Sequence, residues 1–172
     1  MKSESKYKIE FAGLKIGSHQ FNFSAEKRFF DRFSFSDFND VSVNIDIDLI
    51  KKSTLLELTF VLRGVVNLSC DLTNEPFDFQ IKHEASLVVK FGQEYNDEDD
   101  EILVLPHGEH KLYVEQYIFE LIVLSLPPKR IHPGVQDGSL KSEILDILED
   151  LKPKENSNFA DPRWEQLKSL KK

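Results

Sequence analysis

One cysteine in 172 residues leaves no partner for an intrachain disulfide and rules out a multi-cysteine zinc site. A long apolar run is also missing. The longest, Ile118 to Leu126, is broken by Glu120 and Ser125. It falls far short of the ~20 residues a membrane-spanning helix needs, so no membrane association is expected. The opening MKSESKYKIEF has no apolar stretch after its positive residue, which argues against an export signal and for the cytoplasm. The phosphate-cradling patterns G-x-x-x-x-G-K-[ST] and G-x-G-x-x-G do not occur, nor does the G-x-S-x-G nucleophile elbow, so no cofactor and no enzymatic activity are expected. Basic residues are in the minority, with 22 Lys and Arg against 30 Asp and Glu, a net charge of −8. That balance argues against broad contact with a phosphate backbone, and DNA is not an expected partner.

What is present suits a folded body with a core. Hydrophobic residues make up 40% of the chain, and 14 of them are Phe. Charge is uneven along the chain. Residues 127–172 hold nine Lys and Arg against eight Asp and Glu, so the preceding residues carry 13 against 22. An acidic body followed by a near-neutral, Lys-ended tail can meet a basic protein with one part and RNA with the other. The plainer reading is a solvated, solubilising surface.

The N-terminal half reads as β. Tyr7–Phe11 alternates, Gly13 and Gly17 punctuate, and His19–Phe23 continues. In Val41–Leu49 the odd positions are Val, Val, Ile, Ile and Leu while the even ones are polar, which predicts one buried and one wet face of an antiparallel sheet. Leu56 to Leu72, with Gly64 permitting a bulge or bend, and Phe77 to Phe91 predict a long hairpin around the turn Thr73-Asn74-Glu75-Pro76. Five Phe residues between Phe29 and Phe38 either tuck onto the sheet or form an aromatic partner patch. Gln93–Glu101 reads as an acidic loop lacking the spacing of a calcium loop, and Ile102–Leu105 as a short strand ended by Pro106. Leu112–Leu126 reads as a largely buried helix stopped by Pro127-Pro128. A second helix capped by Ser139 carries the stripe Leu140, Ile144, Ile147, Leu148 and Leu151 up to Pro153. Strands first and helices last give an α+β fold: an antiparallel, strongly twisted β-sheet body with a long hairpin, followed by C-terminal helices. The expected organisation is a single domain over 1–152, a linker over 153–160 and a short helix over 161–172. In that last helix Asp161 caps, Pro162 is pre-set for the first turn, and Trp164, Leu167 and Leu170 share a face.

Few residues offer chemistry. His107 and His110, with His132 or Glu101 as a third ligand, are the one dense set of metal-capable groups and would suit a metal-assisted hydrolase; an accidental polar turn is the plainer reading, and no metal is expected. Cys70 is a conceivable nucleophile, but Ser69 and Asp71 offer it no cation and a packed thiol is expected. For RNA the candidates are Lys129, Arg130 and His132 on one side and Arg163, Trp164 and Lys168 on the other, cations for phosphate and an indole for stacking. Alternatively Trp164 docks its helix and the lysines are solvated.

An ordered set of segments carries a family resemblance: a β-rich body, GVVNLSCDLTNEPF (64–77), LSLPPKRIHP (124–133) and the closing DPRWEQLKSLKK (161–172). Together they resemble the large ribosomal RNA subunit accumulation protein (YceD) family. The resemblance implies a cytoplasmic, non-catalytic accessory factor for 23S rRNA accumulation and large-subunit assembly. It implies precursor 23S rRNA or a basic large-subunit ribosomal protein as partner. Many members carry C-x-x-C where this chain has Cys70 and Thr73, and further cysteines where it has LPPKRIHPG. Those cysteine sets read as variable stapling of the fold. The alternative outside the family is an acidic, chaperone-like module for a basic protein unrelated to rRNA.

Overall fold

The computed structural model describes residues 6–99 and 101–151. In chain order these form β1 (Lys8–Ile9), β2 (Gly17–Glu26), α1 (Lys27–Asp31), β3 (Asp40–Lys51), β4 (Leu55–Ser69), β5 (Pro76–Gly92), β6 (Asn96–Asp99), β7 (Ile102–Pro106), β8 (Leu112–Tyr113), α2 (Glu115–Leu124), α3 (Pro133–Gln136) and α4 (Glu143–Asp150). The fold is α+β. Its sheet is open, in the order β2-β3-β4-β5-β7-β6, antiparallel throughout except where β7 runs parallel to β5. The short strands β1 and β8 form a separate antiparallel pair.

Alternation in the sequence decides the two faces of the sheet. Val41, Val43, Ile45, Ile47 and Leu49 of β3 and Leu56, Leu58, Phe60 and Leu62 of β4 are all buried on one side. Each such side chain contributes roughly 1.5–3 kcal/mol by leaving water. The opposite face is polar and stays wet. There Gln20 donates to Asp48 at 2.8 Å and Asn67 to Asp78 at 2.7 Å across neighbouring strands. Cross-strand pairs of this kind fix register as well as stability.

The hairpin of β4 and β5 pairs without interruption from Leu55↔Lys90 to Ser69↔Pro76. Gly64 therefore marks no bulge. It lies between Val43 and Ile81, and a Cβ there would sit 2.2 Å from the Ser42 carbonyl oxygen and 2.6 Å from the Val43 Cα. The glycine is required because the β3 backbone comes too close for any side chain.

The apolar face is covered by α1, α2 and the Phe-rich segment between β2 and β3. Phe29, Phe30 and Phe38 are buried, and Phe33 stacks on Phe119 of α2 with ring centroids 4.2 Å apart. The aromatic run is core, as the tucking reading expected. Arg32 at the end of α1 pairs with Glu115 at the start of α2, tying the two covering helices together. Lys51 spends its three ammonium hydrogens on the carbonyls of Phe11, Ala12 and Leu14, at 2.8, 3.3 and 2.9 Å, fixing the loop after β1 to the end of β3.

Three local expectations are corrected. Leu112 and Tyr113 are strand residues, pairing with Ile9 and Lys8, so the helix expected from Leu112 begins at Glu115 and ends at Leu124. Gln93–Glu101 is not wholly loop, since β6 adds to the sheet edge. The later helix begins after Ser142 rather than Ser139, leaving Leu140 outside it. The expected linker 153–160 and closing helix 161–172 lie outside the described residues.

Candidate partner-binding site

Two of the segments singled out in the sequence, 64–77 and 124–133, meet at one end of the long hairpin. Cys70 begins the β4–β5 turn, which closes through Cys70 N–H to Glu75 O at 2.9 Å and Asn74 N–H to Cys70 O at 2.8 Å. Asn74 takes φ 58°, a left-handed conformation that asparagine tolerates well. The 129–134 segment is laid against this turn. Asp71 N–H donates to Arg130 O and Arg130 N–H returns to Asp71 Oδ2, both at 2.7 Å. His132 N–H donates to Cys70 Sγ at 3.3 Å, and the His132 ring meets Phe77 edge-on at 5.7 Å. This chain joins the two segments by hydrogen bonds.

These contacts give the sequence candidates definite places. The Arg130 guanidinium faces Asp37 at 3.4 Å, and His132 Nδ1 accepts the Gly134 N–H at 2.9 Å. Both residues hold the loop, while Lys129 is exposed beside them. Arg163, Trp164 and Lys168 lie outside the described residues. Cys70 is buried. Burial pushes its thiol up, but hydrogen bonds from Thr73 and the His132 and Leu72 backbone outweigh this and bring it below its ordinary value.

His107 and His110 are exposed in the turn after β7, where His107 N–H donates to Gly92 O at 2.9 Å. His132 sits at the other end of the hairpin. The 15 residues of β4 lie between, about 45 Å of strand at roughly 3.3 Å per residue. The structure does not bring His132 to the other two. Among the described residues no group of three His, Cys, Asp or Glu side chains is arranged to hold a metal ion.

A cleft of about 840 Å³ opens between α2 and the β5–β7 part of the sheet. Phe60, Leu87, Leu103, Leu105 and Leu121 give it an apolar lining, and Tyr95, Tyr113 and Tyr117 stand around it. Asp97, Asp99, Glu109 and Glu120 supply negative charge, against Arg32 and Lys111. Arg32 is already engaged by Glu115. The Tyr117 hydroxyl is pushed up to about 12, first by burial and then by Tyr95, Asp97 and Glu120. Tyr95 donates to Asp97 at 3.0 Å and is raised too, first by burial, then by that hydrogen bond and the charges of Asp97 and Glu120. The cleft thus favours apolar groups in its depth and cations near its edge.

Sequence reading missed this cleft because β6 looked like loop. The signal was the Asp99–Glu101 step before Ile102–Leu105: Glu101 N–H donates to Asp99 Oδ1 at 2.9 Å, a turn that folds β6 back along β7.

The family model described as large ribosomal RNA subunit accumulation protein YceD matches residues 58–171. The chain belongs to the YceD family. The match takes in the long hairpin from Leu58 onward, the cleft lining other than Arg32 and Phe33, and both segments joined at Cys70. The family's description connects this YceD chain with accumulation of the large ribosomal subunit's RNA. No curated protein and no solved structure matches the chain significantly. Among the described residues no helix is long and apolar enough to cross a membrane.

Proposed function

We propose that this protein is a non-catalytic accessory factor that supports 23S rRNA accumulation by holding a basic large-subunit ribosomal protein during assembly. Family membership supports a role in accumulation of the large subunit's RNA. The observation that carries the partner is the cleft, apolar within and acidic at its edge, on a chain of net charge −8. A ribosomal protein segment with apolar anchors flanked by Lys and Arg satisfies both features, whereas a phosphate backbone meets repulsion at the same edge.

The test uses two probes: large-subunit proteins stripped of RNA, and 23S rRNA stripped of protein. The full-length chain is expected to retain one or more basic proteins and to bind naked RNA weakly. Asp97→Lys with Glu120→Lys is expected to weaken the protein contact at least tenfold. Strong, salt-sensitive RNA binding that falls on removal of residues 158–172 would instead favour direct contact through Lys129, Arg163, Trp164 and Lys168.

A further inference from the structure

One corner of the cleft combines aromatic rings with negative charge. Tyr95 and Asp97 reach it from the sheet edge, Tyr117 and Glu120 from α2, and all four line the same cavity. Tyr117 and Glu120 stand three residues apart, on one face of the helix. Tyr117 is half-buried, with its ring centroid 6.4 Å from that of Phe60, which also lines the cleft. Tyr95 is exposed. Both hydroxyls are raised, first by burial and then by Asp97 and Glu120, so the four groups act on one another.

The hydrogen bonds show what the corner already holds and what it leaves open. The Tyr95 hydroxyl donates to Asp97 Oδ2 at 3.0 Å, and Gln116 Nε2 donates to Glu120 Oε1 at 2.6 Å. Both donors are neutral. Among the described residues neither carboxylate is in an ion pair, and Asp97 Oδ1 and Glu120 Oε2 accept no hydrogen bond. Of the two cations lining the cleft, Arg32 is spent on Glu115 and Lys111 is partnered as well. The two negative charges are thus met by uncharged groups.

The chemistry of the corner selects its occupant. No group of three metal-binding side chains forms among the described residues, and tyrosine ring faces attract organic cations. A phosphate backbone would be repelled. The occupied oxygens then distinguish lysine from arginine. A guanidinium fork is best satisfied by both oxygens of one carboxylate, and here each carboxylate has one oxygen already engaged. An ammonium carries three donors and can take single oxygens from two walls.

We infer that the corner formed by Tyr95, Asp97, Tyr117 and Glu120 seats one lysine side chain of the basic protein partner. This rests on the reading of the cleft proposed above and deepens it: the apolar depth takes the partner's anchors, and the corner selects the cation beside them.

The test follows full-length chains binding RNA-free large-subunit proteins, either untreated or guanidinated so that each lysine becomes homoarginine. Guanidination keeps every positive charge and changes only the shape of the lysine head. It is expected to weaken retention about tenfold. Undiminished retention would reduce the contact to charge alone and overturn the lysine seat. Asp97→Asn with Glu120→Gln changes two exposed side chains conservatively. It is expected to weaken binding of the untreated proteins about tenfold and to erase their advantage over the guanidinated ones. Asp99→Asn with Glu109→Gln removes the same charge from the same cleft edge. It is expected to cost about threefold or less and to preserve that advantage. Equal losses from the two pairs would spread recognition along the edge and overturn the proposal. A partner released by Asp97→Lys with Glu120→Lys but indifferent to guanidination would leave the functional reading standing and remove the lysine seat. A native chain that retains no basic protein would overturn both.

Discussion

The backbone N–H of His132 donates to the sulfur of Cys70 at 3.3 Å, across 62 residues of sequence. Together with the paired bonds between Asp71 and Arg130, it locks the segment after α2 onto the β4–β5 turn. Cys70 is the acceptor and is buried. Cys70→Ala removes the acceptor, leaves a small void and strands an N–H. The expected cost is about 1–3 kcal/mol, read as a lower midpoint in urea. An unchanged midpoint would mean the joint adds nothing to the fold.

Gly64 gives a sharper contrast. Alanine there places Cβ against the backbone of Ser42 and Val43, which cannot move aside without parting β3 from β4. Gly64→Ala is expected to cost about 3 kcal/mol or more. Gly13→Ala, where a Cβ meets nothing within 4 Å, serves as the neutral comparison in the same thermal melts.

Alkaline pH should weaken the fold through Tyr117. Its folded value, near 12, lies above the ordinary tyrosine value of 10.0. The unfolded chain therefore loses its proton first as pH rises. The contribution is intact below pH 10 and is lost between about 10 and 12. Tyr117→Phe should show a shallower loss of stability over that window in urea titrations at stepped pH. Tyr7 and Tyr95, also raised chiefly by burial, keep the remaining slope.

The outer sheet face offers a test of register. Arg63 and Lys82 face one another across β4 and β5, both exposed. Like charges directly opposite disfavour pairing by up to about 1 kcal/mol. Lys82→Glu is expected to raise the melting temperature by a few degrees at low salt, with the gain shrinking as salt is added.

Much of this architecture was legible because alternation is a strong signal when one face is buried. Val41–Leu49 announced β3, and Phe77–Phe91 announced the return arm of the hairpin. Two places misled for physical reasons. Leu112 and Tyr113 sit in an apolar stretch that no period could divide, and only their pairing with β1 makes them strand. The residues of β6 are exposed on both sides, so no apolar face marked them as an edge strand. The candidate cleft was illegible for the same reason, since it needs β6, β7 and α2 together. Arg130 and His132 were visible as polar side chains, but sequence could not reveal that Asp37, Asp71 and Gly134 already engage them.

The most direct test is the ratio of 23S to 16S rRNA in cells depleted of the protein, then resupplied with the native chain or with Asp97→Lys, Glu120→Lys. A fall in the ratio that the native chain restores and the cleft variant does not is the expected result. A ratio unchanged by depletion would contradict a role in large-subunit RNA accumulation.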